Sequence, residues 1–164
     1  MLHRILHILI QQIITIINME TTFKRVHTGK DWLISGITIA AGIGLYFLNT
    51  GLGIFVGICG ILMLLFYKSG YLANGTGPVL KKKAMDVPRS CRQSIVDFLD
   101  GQDVEPQIDD RAIGGVIRIE TYYNKAAGIA YTQLFDFSNY NYQPATDVVK
   151  LVGPRADKLI SKLK

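Results

Sequence analysis

The sequence predicts an α+β protein: a two-helix transmembrane hairpin followed by a small cytoplasmic α+β domain with a mostly antiparallel sheet. Three observations predict it. Residues 32–67 contain no Lys, Arg, Asp, Glu or His, and Asp31 and Lys68 close that stretch. Asn49, Thr50 and Gly51 put turn chemistry near its middle. Beyond it, apolar residues first recur at helical spacing and then alternate strictly, as a helix followed by half-buried strands requires. The organisation that follows is an N-terminal segment over residues 1–30, the hairpin over 31–68 and the domain over 69–164.

A single helix across the uncharged stretch would be about 54 Å long at about 1.5 Å per residue. A bilayer's hydrocarbon layer is about 30 Å thick, so two short spans joined by a turn fit better. Gly36, Ala40 and Gly44 form one small-residue ridge, and Gly53, Gly57 and Gly60 form a second. Such ridges let helix backbones approach, so these six are the expected helix-packing positions. Lys24, Arg25 and Lys30 precede the stretch, and Lys68 and Lys81 to Lys83 follow it. The positive-inside tendency then places both ends in the cytoplasm, with Trp32 and Tyr67 at the inner interface. An integral membrane protein, of a bacterial inner membrane, is the expected localisation.

The first eighteen residues, Ile-rich and interrupted by Gln11 and Gln12, lack the small-residue cleavage site of a secretory signal. They read as an in-plane anchor, a third short membrane segment, or translated leader before a start at Met19. The last is favoured, because the residues from Met19 read as an ordinary polar N-terminus.

In the domain, residues 69–78 read as a Gly/Asn/Thr-rich connector and 79–85 as a short edge strand. Asp86 is a fair helix N-cap, with Pro88 tolerated in the first turn. Val87, Cys91, Ile95, Phe98 and Leu99 form the helix's apolar stripe, and Gly101 ends it. Residues 102–114 read as an acidic loop. Residues 115–123 and 129–137 read as strands around a turn at 124–128, and 146–152 as a third strand after a loop. Pro154 opens a final helix whose apolar face is Ala156, Leu159, Ile160 and Leu163. The order is (β)-α-β-β-β-α.

Charge is laid out in blocks within a net of +5. Residues 68–92 carry six cations against Asp86, and residues 93–110 carry six acids and no cation. A basic block beside the hairpin suits anionic lipid headgroups better than nucleic acid. Lys81, Lys82, Lys83, Arg89 and Arg92 are therefore the candidate membrane-surface contacts. Tyr122, Tyr131, Tyr140 and Tyr142 are the candidate surface for a protein partner, since Tyr122 shares a strand face with Arg118 and Glu120.

No catalytic, cofactor or metal motif stands out. Cys91 is better read as a core thiol than as a nucleophile, although His27 is its one histidine in the same expected compartment. Cys59 lies in the second apolar span, so no disulfide is expected. Asp100, Asp103, Glu105, Asp109 and Asp110 lack the regular spacing of a calcium loop. Asn74, Gly75 and Thr76 match a glycosylation sequon, useful mainly as a topology reporter.

The leading functional expectation is a membrane-anchored, non-enzymatic interaction module, its partners the lipid bilayer, anionic headgroups and an unknown protein. The alternative is a small-ligand sensor or enzyme gathering Cys91, Arg118, Glu120, Tyr122 and Tyr131 between helix and sheet. A third is an accessory subunit whose glycine ridges bind a larger complex.

Overall fold

In the computed structural model residues 21–102, 104–106, 108 and 115–163 are described. The readings made of residues 1–18, and of Asp103, Asp109 and Asp110 in the acidic loop, lie outside them.

The helical hairpin is present. Strand β1 (Phe23–Val26) leads into helix α1 (Gly29–Tyr46), and helix α2 (Thr50–Phe66) returns. Thr28 caps α1 in a capping box with Asp31, and Asn49 caps α2 by accepting from the Leu52 N–H. These caps are local side-chain solutions to the orphan N–H groups of each first turn.

The membrane-spanning reading is overturned. Among the described residues no helix is long and apolar enough to cross a membrane. The 17 residues of α2 reach about 26 Å, short of the roughly 30 Å hydrocarbon layer. The 18 residues of α1 include Lys30 and Asp31 in the first turn, which shortens its uncharged part further. With the spans go the integral-membrane localisation and the assignment of both termini to the cytoplasm.

Where the helices meet, the contact is made by glycine backbone. A Cβ on Gly42 would lie 2.5 Å from the Gly57 nitrogen, and one on Gly53 only 2.3 Å from the Tyr46 Cα. A Cβ on Gly60 would lie 2.7 Å from the Ile39 Cγ1. Around Gly36 and Gly44 a Cβ would meet nothing within 4 Å. The face of α1 that meets α2 is therefore the row of Asp31, Ser35, Ile39 and Gly42, and Ala40 is exposed with the other ridge.

Strands β2 (Gly70–Ala73) and β3 (Thr76–Pro88) form a hairpin through Asn74 and Gly75, both at positive φ. A short 3₁₀ turn (Arg89–Cys91) leads into helix α3 (Arg92–Leu99). Strands β4 (Val116–Asn124), β5 (Ile129–Ser138), β6 (Asn141–Pro144) and β7 (Val149–Val152) precede helix α4 (Pro154–Lys162). The sheet order is β1-β2-β3-β4-β5-β6, with β7 also paired to β5, and every pairing is antiparallel. Besides the edge strand and the three later strands expected from its sequence, the domain thus contains β2 and β6.

Asp86 is a strand residue rather than a helix cap. It pairs in register with Arg118, and Arg118 Nε donates to its Oδ1 at 2.8 Å. Helices α3 and α4 cover one sheet face, burying Ile95, Phe98, Leu159 and Ile160 against Ile117, Ile119 and Leu134. That face is alternately apolar because strand side chains point to opposite sides with a period of two. Thr121 and Thr132 are the polar pair within it, their hydroxyls 3.1 Å apart and bonded to each other.

Candidate functional site

Three surfaces could carry function: the hairpin, its base, and the sheet face not covered by α3 and α4. On the hairpin, Phe47 and Leu48 at the tip are 82% and 84% exposed, and Phe66 is 76% exposed. Leu33, Ile37, Ile43, Phe55 and Leu65 are also exposed. A helix that is apolar all round ordinarily lies in an apolar environment. A shallow apolar groove of about 380 Å³ runs over the glycine contact, between Ile39, Ile43, Tyr46, Ile54 and Ile61.

The base of the hairpin is polar and fixed. Asp31 is buried there, accepting from the Thr28 N–H, the Ser69 N–H and the Ser69 hydroxyl at 2.8, 2.9 and 2.6 Å. Burial alone would raise its pKa, but these donors outweigh it and hold the carboxyl down to about 2. The carboxylate therefore ties the start of α1 to the segment leaving α2. Val26 pairs with Gly70 immediately below, so both legs continue into adjacent strands. Lys24, Arg25, Lys30 and Lys68 are exposed around this base, as is Lys81.

The expected membrane-surface cations do not form one cluster. Lys81 and Lys82 lie on β3 near the hairpin, whereas Arg89 lies eight residues along, roughly 27 Å away in an extended strand. Lys83 is partly buried, and Arg92 lies 3.9 Å from Asp136. Lys82 is paired with Glu120 at 2.6 Å and stands over the Tyr122 ring. Desolvation opposes its charge, yet Glu120 and Tyr122 more than compensate and raise its pKa.

On the open sheet face, Tyr122 is stacked on Phe23 with ring centroids 3.8 Å apart and planes 7° from parallel. Tyr71 and Tyr131 meet this pair edge-on, Tyr71 against Tyr122 and Tyr131 against Phe23. Arg25 lies over Tyr71 and Lys150 over Tyr131. The β1–β2 arm therefore folds its aromatics onto β4 and β5. Tyr142 covers Arg118, whose guanidinium is 3.8 Å from the ring centroid. The bonded Arg118 guanidinium keeps the Asp86 carboxyl below its usual range. Tyr140 alone of the four tyrosines is fully open, 95% exposed at a turn.

Residues of the small-ligand reading are divided between the two sides of the sheet. Cys91 is buried in the core with α3, while Arg118, Glu120, Tyr122 and Tyr131 lie on the opposite face. His27 packs against Trp32 at the hairpin base instead of meeting Cys91. Among the described residues no three His, Cys, Asp or Glu side chains converge as a metal site.

Sequence reasoning missed Asp31, Ser69, Phe23 and Tyr71. The capping pattern Thr28-x-x-Asp31 was available as a signal for the first. Phe23 and Tyr71 act through a strand pairing that has no local signature. No family model, curated protein or solved structure matches this chain.

Proposed function

We propose that the chain is a non-enzymatic interaction module that attaches to a lipid surface by burying the tip of its hairpin from one side, without crossing. The observation that supports this most is the pairing of an uncharged, exposed apolar hairpin with a ring of cations at its base. Burying Phe47 and Leu48 is worth about 1.5–3 kcal/mol each. Each Lys or Arg brought near an anionic surface adds about 1 kcal/mol. Lys24, Arg25, Lys30, Lys68 and Lys81 flank the base, where they would meet headgroups once the tip is buried.

Flotation of the full chain with liposomes tests the reading. The protein should float with vesicles containing anionic lipid, and Phe47→Asp with Leu48→Asp should release it. Failure to float under any lipid composition, together with a stable oligomer or intact co-purification with another membrane-complex subunit, would replace the lipid by a protein partner.

A further inference from the structure

Strand β3 changes neighbours along its length. Up to Leu80 it pairs with β2, and from Lys81 to Pro88 it pairs with β4. Beyond Leu80, the β3 edge turned away from β4 therefore has no strand beside it among the described residues. Hydrogen bonds show which residues form that edge. The Arg89 N–H donates to the Gly115 carbonyl, one step past the Pro88–Val116 pair, and the Val79 carbonyl accepts from the Asn124 side chain on β4. Backbone groups in an antiparallel ladder alternate between the two edges of a strand, so the odd-numbered residues serve β4. The N–H and C=O groups of Lys82, Ala84 and Asp86 then point into the empty lane. Pro88 fits the same alternation, since its nitrogen faces the lane and no β4 bond is lost.

Such a row of unpaired donors and acceptors is a template for another strand. The β1–β2 arm leaves the lane at Leu80 and lies over the open sheet face, with Phe23 on Tyr122. Where it leaves, a recess of about 500 Å³ between Ser69, Tyr71, Lys82 and Ala84 gives the lane room for added backbone.

We propose that this edge pairs antiparallel with the same edge of a second copy, about a two-fold axis at Ala84. Ala84 then faces the partner's Ala84, and Lys82 faces the partner's Asp86, each residue exchanging its N–H and C=O with the one opposite. Opposite charges directly across a strand pair are favourable and like charges are not. Here the signs alternate across the junction: Arg118 is bonded to Asp86, Asp86 faces the partner's Lys82, and Lys82 in each copy is held by its own Glu120. Lys81 faces the partner's Val87 and Lys83 the partner's Met85, so no lysine opposes a lysine. Moving the axis to Lys82 or to Asp86 would set like charges face to face, which selects Ala84. Pairing also ends by itself, because Leu80 is already taken by Tyr71 and Pro88, which would face it, has no N–H.

Sedimentation equilibrium of the full chain in density-matched non-ionic detergent reads the association. The wild type should form a dimer, and Ala84→Pro should weaken it by about tenfold or more, since each copy loses the N–H it donates at the axis. The β4 ladder does not use that N–H, so the variant should keep its far-UV circular dichroism. Cysteine cross-linking in a Cys59→Ser background tests the register without proline. Ala84→Cys should form an intermolecular disulfide, because the Cα atoms of a hydrogen-bonded pair are about 5.5 Å apart. Lys82→Cys should not, because the two cysteines would lie four residues apart along the strands, about 14 Å.

A chain that stays monomeric at every concentration would overturn the pairing with a second copy. A dimer that folded Ala84→Pro leaves intact, or disulfides formed equally by Ala84→Cys and Lys82→Cys, would also overturn it and assign the association to the apolar hairpin.

Discussion

Alanine at Gly42 or Gly53 should open the hairpin, while alanine at Gly36 or Gly44 should tighten the chain. All four substitutions gain helix propensity, about 1 kcal/mol for Gly to Ala in a helix interior. Only two of them meet an obstacle. The Gly42 methyl would stand 2.5 and 2.7 Å from the Gly57 nitrogen and Cα, and the Gly53 methyl 2.3 Å from the Tyr46 backbone. Backbone atoms cannot rotate aside as a side-chain tip can, so the helices must separate by about 1 Å. A gap of that size forfeits a quarter to a half of each dispersion contact along the seam. Overpacking of this kind costs about 1–3 kcal/mol. The net expectation is a loss of up to about 2 kcal/mol for Gly42→Ala and Gly53→Ala, against a gain of about 0.5–1 kcal/mol for Gly36→Ala and Gly44→Ala. In a chain of this length each kcal/mol moves Tm by about 2–4 °C. Thermal unfolding in one detergent, with hydrogen exchange of the α2 amides to report the hairpin itself, measures both signs. Equal effects at Gly36 and Gly42 would refute the assignment of the packing face.

Three further outcomes follow from buried or strained groups. Asp31 has its folded pKa depressed to about 2 from 3.8, so its stabilisation is fully present above pH 3.8 and disappears as pH falls through about 2; denaturant unfolding between pH 5 and 2 should show the wild type losing about 2 kcal/mol that Asp31→Asn, already lacking it, does not lose. Thr121→Val strands the Thr132 hydroxyl in the core and should cost about 1–3 kcal/mol, whereas the double replacement with Thr132→Val should approach wild type; a double-mutant cycle by chemical denaturation reads the coupling. Tyr140 sits at φ 61° next to Asn139 at φ 52°, and Tyr140→Gly should raise stability by up to about 1 kcal/mol, a loss of stability instead showing that the ring makes a contact worth more than the strain.

The strands and helices that were legible in the sequence are those whose packing partner is far away but uniform. Strands β4 and β5 alternate cleanly because one face meets a continuous apolar core, and α4 shows its face for the same reason. Elements that depend on one specific neighbour were hidden. Asp86 followed by Pro88 has the local chemistry of a helix start, but pairing with Arg118 wins, and that residue is 32 positions away. Asn74-Gly75 is a hairpin signal in itself. It was obscured because the flanking residues, Gly70, Ala73, Gly77 and Pro78, have little strand propensity. The glycine rows posed a different problem. Gly36-Ala40-Gly44 and Ser35-Ile39-Gly42 are both helical rows of acceptable spacing, and nothing local says which one meets α2. The division of the uncharged stretch at Asn49 to Gly51 was legible; the membrane reading fails because neither resulting helix, of 18 and 17 residues, is long and apolar enough to cross.

The same pairing that hid β1 also explains why the open sheet face is less available than its aromatic content suggests. Phe23 reaches Tyr122 only because β1 and β2 flank the hairpin in the chain and pair with each other from Val26 and Gly70 downward. Each leg of the hairpin is thus the continuation of a strand, and the legs are joined again by Asp31 and Ser69 just above. Two attachments at different heights resist rotation where one would allow it. The hairpin is consequently held at a fixed angle to the sheet, and whatever surface buries its tip also sets the orientation of β3. Lys81 stays near the hairpin base, while Arg89 and Arg92 are carried to the far end of β3. On the proposed lipid-surface reading, headgroup contact would fall to the cations around the hairpin base, Lys24, Arg25, Lys30 and Lys68 among them, and not to the whole basic block.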